Sequence, residues 1–161
     1  MSTDAAALLG VYLNDHLAGS TAGLELARRL AGAESGWAPE LTRIANEIAE
    51  DRAALQELMA RLDVPVQRYK TVLAWAGEKV TRLKPNTRLA ARSPLSRVIE
   101  LETMLLGVEG KASGWRTLRE IAKAEPRLST AELDTLIARA REQADTLEKL
   151  RVRAVSEALT R

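Results

Sequence analysis

Five side chains in this sequence could do chemistry together: His16, Asp51, Glu102, Glu109 and Glu47. Each of the first four falls on a run of apolar residues at helical spacing, where an ionisable group is out of place. Glu102 and Glu109 lie seven apart on the stripe marked by Leu95, Val98, Leu105 and Ala112. Asp51 interrupts the stripe Leu41, Ile44, Ile48, Leu55, Leu58, Leu62, and Glu47 stands one turn before it. His16, the only histidine, falls in the stripe Leu9, Leu13, Ser20, Gly23, Ala27, Leu30. A buried carboxylate costs several kcal/mol unless it is paired, hydrogen-bonded or metal-bound. Acids and an imidazole converging from different helices form the oxygen-rich site that suits iron or manganese. The same residues also admit a metal-free reading. Asp51 could pair with Arg43, Arg52 or a base across the bundle, the glutamates with Arg or Lys, and His16 could be a hydrogen-bonded core histidine. Seven residues span ~10.5 Å of helix axis, so one ion does not readily take both Glu102 and Glu109.

Other chemistries leave no trace. There is no Cys, which removes disulfides, thiolate metal sites and a Cys nucleophile. No phosphate-binding glycine loop, Ser/His/Asp signature or zinc spacing occurs.

The elements that must position these groups are helices. Of 161 residues, 46% are apolar, with no Phe, so the core is drawn from Leu, Ala, Val and Ile, a palette suited to helix packing. The spacing predicts a helix over 4–30, capped by Ser2, Thr3 or Asp4 and stopped near Gly32. A second covers 39–62, with Pro39 in its first turn and Pro65 beyond its end. A third, amphipathic helix is expected at 65–83, with Val66, Tyr69, Val72, Leu73, Ala76, Val80 and Leu83 on one side and bases on the other. "KPNTRLAARSP" reads as a loop. A helix from Ser93 or Pro94 to 122 and another from Ser129 or Thr130 to 159 complete the chain, and "LSTAEL" supplies the cap between them. Gly107, Gly110 and Gly114, like Gly19 and Gly23, form stripes at helical spacing. An interior glycine costs ~0.5–1 kcal/mol relative to alanine. Close helix approach, or room for a ligand beside Glu109, would offset that loss.

This is an all-α chain of two antiparallel hairpins joined by a crossover segment, expected to form a single domain over 1–161. The opening "MSTDAAALLGVYL" lacks a basic n-region, and no apolar run approaches the ~20 residues of a membrane span. A soluble, cytoplasmic protein is expected. The net charge is +2, but residues 64–97 hold eight bases and one acid, a local +7. That segment carries no recognised nucleic-acid motif. Its expected role is to face solvent and pair with acids of the bundle, with weak attraction for polyanions. A homo-oligomer is compatible with the sequence.

The order of elements, with "YLNDHLAGSTAGLELARRL", "IANEIAEDRAALQELMARL" and "SRVIELETMLLGVEGKASGW", resembles the ferritin-like superfamily, and within it a bacterial branch without the usual ExxH motifs. The resemblance implies a four-helix bundle with an added crossover helix, and iron- or manganese-linked chemistry in metal handling or stress protection. An enzyme of this kind would be a di-metal oxidoreductase. The family's metal signature is a Glu from each of two helices and ExxH from each of the other two. Here Glu47-Ile-Ala-Glu50 and Glu142-Gln-Ala-Asp145 stand in the ExxH places without His, Glu25 lies off the first stripe, and Glu102 or Glu109 would supply the fourth helix. The resemblance therefore implies either a rearranged site using His16 or a metal-free relative acting as an interaction or scaffold protein.

Overall fold

The structure, a computed structural model, describes residues 3–33, 36–67 and 93–160. The helix expected at 65–83 falls almost wholly outside them; its first residues, 65–67, are described and are not helical. The described residues form four helices and no strand: α1 (Thr3–Ala33), α2 (Ala38–Arg61), α3 (Pro94–Ile121) and α4 (Thr130–Leu159).

Local chemistry sets the ends. Ser93 precedes α3, and its hydroxyl accepts from the Leu95 amide at 3.3 Å, with Pro94 in the first turn. Ser129 caps α4 by accepting from the Glu132 amide at 3.3 Å. Both satisfy amides that the first helical turn leaves without carbonyl partners. α2 ends at Leu62, and Asp63 follows with φ of 57°. This is the left-handed reversal that closes many helices, and Asp tolerates it better than most residues.

Long-range pairs fix the arrangement. Tyr12 meets Thr117, the ring of His16 lies over Gly114, and Arg29 reaches Glu100, so α1 and α3 run antiparallel. Arg97–Glu157 and Arg119–Asp134 make α3 and α4 antiparallel, and Arg61–Glu132 with Arg139–Glu50 does the same for α2 and α4. The chain therefore runs up, down, down, up. The end of α2 and the start of α3 therefore stand at opposite ends of the bundle.

One apolar core runs between the helices. The α2 stripe is buried as expected, from Leu41 through Ile44, Ile48, Asp51, Leu55 and Leu58 to Leu62, and so are Leu133, Leu136, Ala140, Leu147 and Leu150 of α4. The α3 stripe is not the expected one. Val98, Leu101, Met104, Val108, Ala112, Trp115 and Leu118 are buried, while Leu95 is 47% exposed and Glu102 and Glu109 are exposed. Helical periodicity in α3 admits two apolar phases one position, or about 100°, apart. The larger apolar residues lie one position away, and they take the core. At the upper end, Trp37 is buried, and the guanidinium carbons of Arg97 and Arg153 lie 5.2 and 5.4 Å from its ring centroid.

The two edges where the hairpins meet differ. The α2–α4 edge is bridged by long polar side chains: Arg43 to Thr146, Gln143 to Glu47, Arg139 to Glu50 and Arg61 to Glu132. The α1–α3 edge opens into a groove.

Candidate functional site

Asp51 is the centre of a buried ionic cluster. It is 1% exposed, and both of its oxygens face cations. Lys111 Nζ, from α3, donates to Asp51 Oδ2 and to Gln143 Oε1. Arg139 Nη2, from α4, lies 2.5 Å from Asp51 Oδ1. That contact is an ion pair without aligned hydrogen-bond geometry, since Oδ1 has no hydrogen-bond partner. Arg139 Nη1 also donates to Glu50 at 2.8 Å. Gln143, fully buried, donates through Nε2 to Glu47 at 2.9 Å, and Arg43 closes the outer side of Glu47. Three acids (Asp51, Glu50, Glu47) thus meet three bases (Lys111, Arg139, Arg43), and the cluster is neutral. Burial pushes the Lys111 ammonium below its ordinary value, Asp51 raises it again, and Arg139 adds to the lowering. A positive charge at this depth is tolerated because its protons are used on Asp51 and Gln143.

His16 is half-buried on another part of the same interior. Its ring packs edge-on to Tyr12, with centroids 4.5 Å apart. A Cβ added at Gly114 would stand 3.1 Å from two ring atoms, so Gly114 is the glycine that makes room for this ring. Burial lowers the His16 pKa from 6.5, and Asp15 partly opposes that.

The structure corrects the inward placement of both α3 glutamates. Glu102 is exposed and lies 3.5 Å from Arg151 of α4, and Glu109 is exposed. Neither faces Asp51, because packing buries the other of the two α3 phases, the one set by Leu101, Met104, Val108 and Trp115. Of the five candidate residues, Asp51 and Glu47 are brought together by Gln143. His16 takes Tyr12 and Gly114 as neighbours, and Glu102 and Glu109 are outside. Among the described residues, no group of three or more His, Asp or Glu side chains converges as metal ligands would. An iron or manganese ion would also have to displace Lys111 and Arg139 from Asp51, the one deeply buried carboxylate among the described residues, so this donor set does not fit the metal that the ferritin-like resemblance implies.

The residues that complete the cluster, Lys111, Arg139 and Gln143, were not legible as a site. A signal existed for Lys111: once the α3 stripe is set on Met104, Val108 and Trp115, position 111 falls beside it. Gln143 sits among Leu136, Ala140 and Leu147 at core spacing, and an uncharged polar residue there does not by itself signal a charged neighbour.

Beside the cluster lies a cavity of about 1200 Å³ along the α1–α3 groove. Its walls include Ala18, Gly19, Ala22 and Gly23 of α1 and Gly107 and Gly110 of α3, with Asp51 and Lys111 also on the lining. The expected close approach of a neighbouring helix to Gly107 and Gly110 is not found: among the described residues, nothing lies within 4 Å of a Cβ built at either.

The chain matches no family model, no curated protein and no solved structure. The class of protein that the observations define is an all-α bundle of two antiparallel hairpins. No helix among the described residues is long and apolar enough to cross a membrane.

Proposed function

We propose that this is a metal-free, ferritin-like bundle that works as an interaction or scaffold protein, its polar core being structural. One observation carries the reading. Asp51, the most deeply buried acid of the cluster, is neutralised from two other helices by Lys111 and Arg139. A metal site needs its carboxylates free to donate to the ion, and a resident ammonium supplies the same positive charge without one. The cluster then ties α2, α3 and α4 together at one level and fixes how the two hairpins meet, a role that buried ionic groups can serve through charge pairing even though Asp51 Oδ1 and Arg139 Nε lack a hydrogen-bond partner. Surface leucines favour the interaction half of the reading: Leu8 is 71% and Leu106 74% exposed.

Metal analysis of the purified protein after incubation with Fe(II) or Mn(II) tests it. The expected result is far less than one ion per chain. Uptake of one ion or more that is lost in Asp51→Asn would overturn it and restore the metal-handling reading.

A further inference from the structure

We propose that the α1–α3 cavity binds a long-chain carboxylic acid that carries a second acceptor oxygen on its chain. The inference goes beyond the reading above and does not rest on it.

The described walls suit an apolar chain. Ile48, Leu55, Met104, Val108 and Leu118 line the cavity and are buried, so its deep side is aliphatic. Gly19 and Gly23 of α1 and Gly107 and Gly110 of α3 belong to the same lining. Glycine weakens a helix interior, and here it widens the cavity. At about 1200 Å³, the space is ample beside the ~300–1,000 Å³ of most ligand sites, which are likewise mainly apolar with a few placed polar groups.

Two polar groups of the lining keep hydrogen-bonding capacity that the described residues do not use. Trp115 is 3% exposed, and its Nε1 is buried without an acceptor. A core donor left unpaired is costly and calls for an explanation. Arg52 is half-buried on the same lining. Its Nε donates to Thr21 at 3.1 Å and its Nη1 to Gln56 at 3.5 Å, yet no carboxylate among the described residues pairs with it. Lys111 differs, because its charge is spent on Asp51. The acids of the lining do not compete for the site's donors. Asp51 is held by Lys111 and Arg139, and Asp15 and Glu25 are exposed. Both unspent groups are donors, so the ligand that satisfies them brings acceptors. A carboxylate matches the guanidinium fork, and a neutral oxygen suits the indole.

The helices give the separation of the two acceptors. Tyr12 meets Thr117 and His16 meets Gly114, so Trp115 is level with Asn14 and Asp15 of α1. Thr21, the partner of Arg52, stands six residues beyond Asp15, about 10 Å at the helical rise. Gly19 and Gly110 fall between the two levels. The chain passes over them, with its carboxylate at Arg52 and its second oxygen near mid-chain at Trp115.

Fluorescence titration with parinaric acid, a fluorescent long-chain carboxylate, tests the proposal. Binding should saturate at one molecule per chain. Octadecanoic acid should displace the probe, and octadecanol should do so at least about tenfold less well, since a charge-assisted pair is lost. Arg52→Met should weaken the acid by a similar factor. Arg28→Met, at an exposed arginine outside the lining, should leave it unchanged. A mid-chain oxo derivative of octadecanoic acid should bind more tightly than the parent acid. Trp115→Phe, which keeps a ring but removes the N–H, should erase that preference. Gly110→Trp should abolish binding by filling the cavity. Absence of saturable binding, equal displacement by acid and alcohol, or equal effects of the two arginine variants would overturn the proposal. So would an oxo acid that binds no better than its parent, or wild-type binding in folded Gly110→Trp. Should Gly110→Trp fail to fold, the comparison of Arg52→Met with Arg28→Met decides.

Discussion

Two acids of this chain that look alike in the sequence behave oppositely in the fold. Asp51 is buried between Lys111 and Arg139, whereas Glu109 is exposed. Removing one partner of a buried ion pair strands the other charge, which typically costs 3–5 kcal/mol. Lys111→Met and Asp51→Asn should therefore each lower unfolding free energy by about 3 kcal/mol in urea titrations. Glu109→Gln should stay within about 0.5 kcal/mol of wild type, as an exposed change away from such features does. Equal effects from the two sets would contradict this placement of charge. His16 adds a pH dependence. Its folded pKa lies below the ordinary 6.5 because burial disfavours the imidazolium, and Asp15 only partly compensates. Between the folded and unfolded values, the unfolded chain binds more protons, so stability falls as pH drops below about 6.5 and is retained above it. Thermal melts from pH 7.5 down to 5.5 should show that loss, and His16→Gln should flatten it. A slope in this window that is the same in both proteins would assign the titration elsewhere.

Elements are held by a few local devices whose removal has calculable effects. Ser129 accepts from the Glu132 amide and stops α4 from fraying at its start. Ser129→Ala should cost about 1 kcal/mol, the usual value of such a cap. Gly114→Ala tests the packing of α1 on α3. Alanine would ordinarily gain ~0.5–1 kcal/mol in a helix interior, but here the new methyl stands 3.1 Å from the His16 ring. Overpacking against an aromatic ring costs ~1–3 kcal/mol, so the substitution should destabilise the protein. If Gly114→Ala raises the melting temperature, the ring moves aside freely and α1 is less tightly seated on α3 than the contact implies.

At the scale of the whole molecule, charge is distributed unevenly, with the +7 of residues 64–97 set against −5 on the rest. Attraction of polyanions to a basic stretch is mostly release of counterions and weakens steeply with salt. Fluorescence anisotropy with a short labelled DNA duplex should show weak binding at ~20 mM salt and none at ~200 mM. Binding that persists at the higher salt would show base or groove contacts and would recast the protein as a nucleic-acid binder. The same acidic and basic groups close the α2–α4 edge through Arg61–Glu132 and Arg139–Glu50. The two hairpins are thus joined by polar pairs along α2–α4 and, along α1–α3, by Tyr12 on Thr117, His16 on Gly114 and Arg29 on Glu100.

The sequence by itself determined the four helices, their ends to within a few residues, their pairing into hairpins, and the buried stripes of α2 and α4. These follow from local rules: helical periodicity, proline and serine at the ends, and large apolar residues that leave no choice of face. It also placed Asp51 in the core, because every neighbour on its stripe is a large aliphatic. The rest was decided by tertiary structure. In α3 the apolar residues Leu95, Leu105 and Leu106 lie beside the stripe that is buried, so periodicity allowed two phases. Only packing against α4 selected the one that turns Glu102 and Glu109 outward. The partners of Asp51 come from residues 111, 139 and 143, sixty and more positions away. No local pattern encodes such a distance. A buried acid announces that something must neutralise it, but whether that is a metal, a proton or a lysine depends on which helices the fold brings to its level.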